Sequence, residues 1–374
     1  MTLTRRRLLA AAACTPLAAL IACSPRTPAM TPEEAQFVHK LTARMRTHCI
    51  GRHLIDLPEA FVLNPVDRVE IEGVEVSVRP MTKTVFETRL QRRTEELQKQ
   101  VIDVIDNEPV LMDVRDVPVG IGKVFNRAES YAYSRIWELM AWQDGFEIQA
   151  SVKAVDYSLD EPLANDPSNN YTNVEEKFTH LLTLYSRVRG RAQEEIPREP
   201  GDCFAHGFYR GAQAEAGQFY VNYHLKDAPD VFVQLSSISG DGSNVARPES
   251  GLLQRRSQIE RDTRRSGIEI LRLVPRNIGH DGYEEFVARE PAKVTSARVN
   301  GHTAVVQTDQ NAQGVARPFL TIELFNGHYI PSPPRSLEEQ AMIPDLTRAT
   351  LSEGQVLALW DAITATIRPR PGAL

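Results

Sequence analysis

The chain has 374 residues, of which 25% are charged and 42% hydrophobic, with 43 basic against 49 acidic side chains and a formal charge of -6. An acidic balance excludes nucleic acid as a partner, since that binding needs a basic surface, and also excludes a polybasic grip on anionic lipid. The length suits two ordinary domains. Cys14 falls in the apolar leader and Cys23 just after it, and neither Cys49 nor Cys203 has a second cysteine at metal-ligand spacing, so neither a zinc centre nor a cofactor is expected.

The first 22 residues read as an export signal. Arg5, Arg6 and Arg7 precede an apolar run from Leu8 to Ala22, broken by Thr15 and Pro16. That run is shorter than the roughly 20 residues a bilayer core needs. Leu20-Ile21-Ala22-Cys23 resembles a lipobox, which places cleavage before Cys23 and lipid on its sulfur and new amino terminus. The other reading is an ordinary signal peptide with an accidental cysteine. Thr4 to Leu9 also resembles a twin-arginine export signal, with a general secretory signal as the alternative. Ser24 stands where lipoproteins retained at the inner membrane often carry Asp, so the outer membrane is favoured. Removing residues 1–22 takes away three arginines and leaves 40 basic against 49 acidic residues, a formal charge of -9.

Residues 23–31 are a short polar tether. A helix is expected from Pro32 to Met45, capped by Thr31 with Pro32 at its first position. Cys49 to Pro58 reads as one short strand, and Val69 to Val78 alternates about a glycine as a half-buried strand. Lys83 to Ile105 is a long charged helix with Phe86, Leu90 and Leu97 along one face. Strands follow at 110–114, 132–142 and 146–154, and an amphipathic helix at 174–188 closes the half.

The proline-bearing segment 190–201 marks a linker between a first domain, 32–189, and a second, 202–374. Beyond it the order recurs: a strand at Cys203 to Tyr209, strands at 218–225 and 230–238, and a charged helix at 252–265. Strands at 268–274, 283–289, 297–307 and 319–325 follow, with a terminal helix at 353–367. Two halves of one plan suggest duplication, and strands interrupted by single helices give an α+β class with mainly antiparallel sheets and covering helices. Cys49 and Cys203 head the two halves. They are either joined by a disulfide or left as two buried thiols.

No nucleophile elbow, phosphate loop, dinucleotide fingerprint or zinc-protease motif is present, so no catalytic residue is expected. Asp103 and Asp106, and Glu95 and Glu96, read as solvated helix charge. Gly240 to Asn244 lacks the acidic ligands of a calcium loop and reads as a turn. Asp281-Gly282 reads as a hairpin turn. Tyr131, Tyr133, Trp137 and Trp142 mark either a binding face or core. Arg255, Arg256, Arg261, Arg264 and Arg265 are interspersed with acids and read as a solvated face.

Three stretches together carry a resemblance. They are His48-Cys49-Ile-Gly51-Arg52-His-Leu-Ile-Asp56-Leu-Pro58, Cys203-Phe204-Ala-His-Gly207-Phe208, and the terminal run from Gly354 through Trp360, Asp361, Arg368 and Arg370 to Ala373. In this order they resemble the Tli4 family of type VI secretion immunity proteins, over most of the mature chain. The resemblance implies a non-enzymatic periplasmic protein of two α+β domains that binds a phospholipase effector and occludes it. It transfers no contact residues. A periplasmic solute- or envelope-binding lipoprotein is the alternative reading.

Overall fold

The computed structural model describes residues 28–102, 108–129, 131, 133–157, 171–211, 217–239, 251–279, 281–291, 299–308, 318–328 and 346–373. The proposed lipid site Cys23, Asp103, Asp106 and the 240–244 stretch lie outside them. Thr31 does cap the first helix, α1 (Pro32–Thr42): its hydroxyl accepts from Glu34 N–H while the Glu34 carboxylate accepts from Thr31 N–H, a reciprocal box with Pro at the first position.

Both cysteine segments, read as single strands, are hairpins. Cys49 lies near the end of β1 (Met45–Ile50), which pairs with β2 (His53–Pro58) through a turn at Gly51-Arg52. Cys203 lies near the end of β12 (Gly201–Phe204), paired with β13 (Gly207–Arg210) through Ala205-His206. Each turn needs a positive φ, at Gly51 (52°) and at His206 (53°). Gly51 has a second reason to lack a side chain, because a Cβ there would meet the Ser237 side chain.

The first half continues with β3 (Phe61–Ile71), β4 (Val74–Pro80), α2 (Lys83–Lys99), a small ladder of β5 (Val101–Ile102) with β6 (Glu108–Pro109), then β7 (Leu111–Asp116), β8 (Ile121–Ala128), β9 (Ser134–Gln143), β10 (Phe146–Val155), α3 (Val174–Tyr185) and β11 (Val188–Gly190). The stretch expected as one strand about Gly73 is the β3–β4 hairpin, with Glu72 and Gly73 both at positive φ, the mirror-image turn that matches strand twist. Helix α2 stops at Lys99 rather than Ile105, because Gln100 takes an extended backbone. Strand β8 has no clean alternation and does not stand out in the sequence.

The second half holds β14 (Gly217–Leu225), β15 (Ala228–Ser239), α4 (Arg256–Ser266), β16 (Glu269–Ile278), β17 (Asp281–Pro291), β18 (Asn300–Thr308), β19 (Phe319–Asn326), α5 (Glu353–Thr364) and β20 (Arg368–Pro369). Asp281 pairs with Ile278 and Gly282 with Asn277. Both therefore belong to the strand, and the positive φ of the turn falls on Gly279.

One antiparallel sheet of twelve strands spans both halves in the order β16-β17-β18-β19-β15-β14-β3-β4-β10-β9-β8-β7. Read outward from the β3–β14 pair, each side gives the same sequence of connections, so the sheet carries the duplication as a pseudo-twofold. The closing strands cross over. Strand β11 of the first half pairs with β13 of the second, and β20 of the second pairs with β2 of the first. Residues 190–201 are accordingly packed: Arg191 is buried, and its guanidinium donates to the carbonyls of Phe204, Gly207, Ala192, Gln193 and Glu195. Arg370, at the matching place after β20, donates to the carbonyls of Pro197, Glu199 and Gly201.

The main core lies on one face of this sheet, under α3 and α5, with Trp137, Leu181, Tyr185, Trp360 and Ile363 in one cluster. On the opposite face α2 builds a smaller core from Phe86, Leu97, Phe125 and Met140. Strand alternation explains the division: Val124 and Leu139 face the main core while their neighbours Phe125 and Met140 face α2.

Candidate protein-binding surface

Between α2 and the arm leading into α4, the central strands turn a polar face outward. Strand β14 alternates buried Phe219, Val221 and Tyr223 with half-buried Gln218, Tyr220, Asn222 and His224. Glu75 and Ser77 on β4 and Gln149 and Ser151 on β10 continue it. The α4 arm lies on this side too: Glu285 accepts the Trp360 indole from α5 on the core face, while adjacent Glu284 accepts the Leu252 N–H on the other. A depression of about 340 Å³ opens beside α2, lined in part by Glu75, Ser77, Arg127, Glu138, Gln149 and Ser151.

Ion pairs stiffen the α2 rim. Glu147, whose side chain is wholly buried, is held by Arg79 and Arg89. Glu138 lies between Arg93 (2.7 Å) and Arg127 (2.8 Å). Burial opposes the Glu138 charge, but the two arginine hydrogen bonds prevail and its pKa is lowered. Across the face Glu323 has no such arginine among the described residues, and burial raises its pKa.

The junction of the halves forms a second constellation. The Cys49 and Cys203 sulfurs stand 2.07 Å apart, with their Cα atoms 5.6 Å apart. Beside them Gly51 and Cys203 exchange backbone hydrogen bonds of 2.7 and 2.8 Å. Arg52 pairs with Asp202, both buried, and reaches the Gly211 carbonyl. His48 packs against Tyr223 with ring centroids 4.5 Å apart. Burial, reinforced by Arg46 and Arg191, pushes the His48 pKa down to about 4.

The aromatic set singled out in the sequence divides. Trp137 is core, its indole donating to the Val174 carbonyl, and Trp142 packs beside the α2 core, donating to Met81. Tyr131 and Tyr133 stack near the surface, 5.4 Å apart with planes 4° from parallel. Glu95 and Glu96 bond within α2, to Gln91 and to Arg93 and Gln100. On α4, Arg261, Arg264 and Arg265 are exposed, while Arg256 donates to the Leu273 carbonyl. Among the described residues no group of histidine, cysteine and acid side chains is placed to hold a metal ion, and no helix is long and apolar enough to cross a membrane. The polar sheet face was missed in the sequence. Its only local trace is the alternation of 217–225, which says that a strand is half-buried without saying what covers it.

A duplicated α+β fold with one shared sheet, its halves cross-stitched and its central strands left polar, defines a two-part protein with an extended polar sheet face. The chain belongs to the Tle cognate immunity protein 4 family: the profile of that family's N-terminal domain matches residues 46–191 and that of its C-terminal domain residues 195–372. Its role is thus that of an immunity protein cognate to a Tle effector. Among solved structures it is similar to the chain in the Tle4–Tli4 complex, at 20% identity and a TM-score of 0.64, covering 88% of this chain and 99% of that one. The apo immunity protein TplEi of the type VI system from Pseudomonas aeruginosa is similar at 21% identity and a TM-score of 0.62, covering 87% and 97%. A search of curated proteins gave no match.

Proposed function

We propose that the mature chain neutralises a cognate type VI phospholipase effector by non-covalent occlusion, without catalysis of its own. It does so in the periplasm, anchored through acylated Cys23 to the outer membrane. The observation that carries this reading is the family match, which runs through both halves, over residues 46–191 and 195–372. The polar sheet face supports it physically. A stable protein complex buries on the order of 800 Å² on each partner, and a rigid sheet supplies such an area with little ordering cost on binding. A lipase must work at a membrane, so a tethered inhibitor meets its target where the substrate lies. In that oxidising compartment the Cys49–Cys203 pair is a disulfide.

The test is to mix the cognate lipase with the mature chain carrying Cys23→Ser and to follow association by gel filtration. A stable complex is expected, and separate elution would contradict the immunity reading. Incorporation of labelled palmitate into the wild-type chain, abolished by Cys23→Ser, is expected of the anchor. An unlabelled wild-type chain would remove the anchor while leaving a soluble inhibitor intact.

A further inference from the structure

We infer that the pocket at the amino-terminal end of α5 receives the phosphoethanolamine headgroup of a membrane phospholipid, which fixes the body of the protein against the bilayer that holds its anchor. This rests on the acylated Cys23 proposed above and not on the effector. The pocket, of about 340 Å³, is lined in part by Arg289 near the end of β17, His302 near the start of β18, Arg348, Ser352 and Glu353.

His302 aims a buried donor into it. The residue is 4% exposed, and its neighbours fix its tautomer. Asn326 Oδ1 accepts the Leu351 N–H at 3.0 Å, which leaves Nδ2 to donate to the Leu351 carbonyl (2.9 Å) and to His302 Nδ1 (3.0 Å). Burial, reinforced by Arg289 and His328, keeps the ring neutral with a pKa of about 4. Its one proton is therefore on Nε2. That N–H makes no hydrogen bond among the described residues, and Glu353 Oε2 stands 3.7 Å away, beyond hydrogen-bond reach. A buried donor without an acceptor costs stability, which a ligand oxygen would recover.

Around this donor the pocket carries both signs of charge. Arg348 is exposed and makes no hydrogen bond or ion pair among the described residues. Arg289 is held by Glu269 and, at 3.1 Å, by Glu353. The two guanidiniums and the His302 Nε2–H suit a phosphate, and the first turn of α5 adds the positive end of its dipole. A bare anion would meet the Glu353 carboxylate with nothing to offset it. A phosphoethanolamine group offers each side its opposite, with phosphate oxygens for the donors and an ammonium for Glu353. A choline headgroup has no N–H and leaves that carboxylate without a donor.

Position selects a lipid as the source. The chain leading from Cys23 enters the fold beside the pocket: a Cβ on Gly354 would stand 2.6 Å from Met30 Cγ and 3.2 Å from the Pro28 carbonyl oxygen. Pro28 follows Cys23 by five residues, a span of at most about 18 Å. With lipid on Cys23, the pocket is held that close to the headgroup layer. A single pocket of mixed charge needs no polybasic stretch, so the acidic balance of the chain is no obstacle to it.

The experiment sediments the mature chain carrying Cys23→Ser with phosphatidylcholine vesicles, with and without phosphatidylethanolamine, beside versions that add Arg348→Ala or Glu353→Gln. Circular dichroism confirms the fold. Binding to the ethanolamine vesicles is expected to exceed that to phosphatidylcholine alone by about fivefold or more, and to fall by about fivefold with Arg348→Ala. Glu353→Gln is expected to lose the preference for ethanolamine. Phosphorylethanolamine is expected to compete, and to shift the His302 Nε2–H resonance in a chain with isotope-labelled histidine. Equal binding to the two vesicles, or a folded Arg348→Ala chain that binds within about twofold of the parent, would overturn the inference. Competition by inorganic phosphate as strong as by phosphorylethanolamine would assign the pocket to a free anion and overturn it as well. So would loss of lipase binding with Arg348→Ala at unchanged vesicle binding, which would give the pocket to the effector. The anchor is absent from these chains, so they judge the pocket, while the palmitate labelling above judges the anchor.

Discussion

Three histidines, His48, His53 and His302, are buried, and burial is the main cause that pushes the pKa of each down to about 4. In the unfolded chain these rings titrate near 6.5. Between the two values the unfolded state binds protons that the native state refuses, so stability present at neutral pH is lost as pH falls from about 6.5 towards 4. The loss is on the order of 2–3 kcal/mol for each ring. Glu138 and Asp361, held charged by arginine hydrogen bonds against the opposing effect of burial, extend the decline at lower pH, as depressed carboxylates do. The denaturant midpoint is expected to drop clearly between pH 7 and pH 5, and a midpoint constant over that interval would contradict the burial of these rings. Composition reveals the histidines, but their burial follows from long-range contacts, such as His48 on Tyr223 and His302 on Asn326, which leave no local pattern.

At the scale of elements, what the sequence makes legible depends on the range of the forces. Helix α1 and the terminal helix α5 carry reciprocal caps, from Thr31 to Glu34 and from Ser352 to Gln355, within four residues of sequence. Their starts are accordingly readable at Pro32 and Glu353. The cysteine hairpins are misread as strands because their turns, Gly51-Arg52 and Ala205-His206, lack the usual Asn-Gly or Asp-Gly pair. The crossing of β11 and β20 into the opposite half leaves no periodicity at all, since three- and two-residue strands are fixed by buried Arg191 and Arg370 rather than by their own alternation. The proposed disulfide adds a covalent stitch over a separation of 154 residues. Closing a loop of that size stabilises by about 5 kcal/mol in the chain-entropy account. Intact-mass analysis is expected to show a chain two hydrogens lighter than the reduced one. The variant with both Cys49→Ala and Cys203→Ala should melt several degrees lower, whereas two free thiols and an unchanged melting temperature would contradict the bond.

The α+β class and the two-part plan of the whole molecule are readable because each half repeats hairpin, strand pair, charged helix, four strands and closing helix. What the repetition cannot tell is that the halves merge. Strand β3 pairs with β14 across the pseudo-twofold, and each half is closed by the other's last strand. The proline-bearing segment read as a linker, 190–201, takes part in the junction through buried Arg191. Because neither half is complete without the other, scanning calorimetry is expected to give one transition whose calorimetric and van't Hoff enthalpies agree. Two separable transitions would show that the halves fold independently. A junction packed in this way leaves the proposed binding face already formed before a partner arrives, which suits the proposed inhibition by occlusion.

The most direct test of that account is phospholipid hydrolysis by the cognate effector on vesicles, followed as the mature chain is added. The account predicts that hydrolysis falls to background as the effector becomes saturated, and that an unrelated lipase is unaffected. Undiminished hydrolysis by an active effector in the presence of excess folded chain would contradict it.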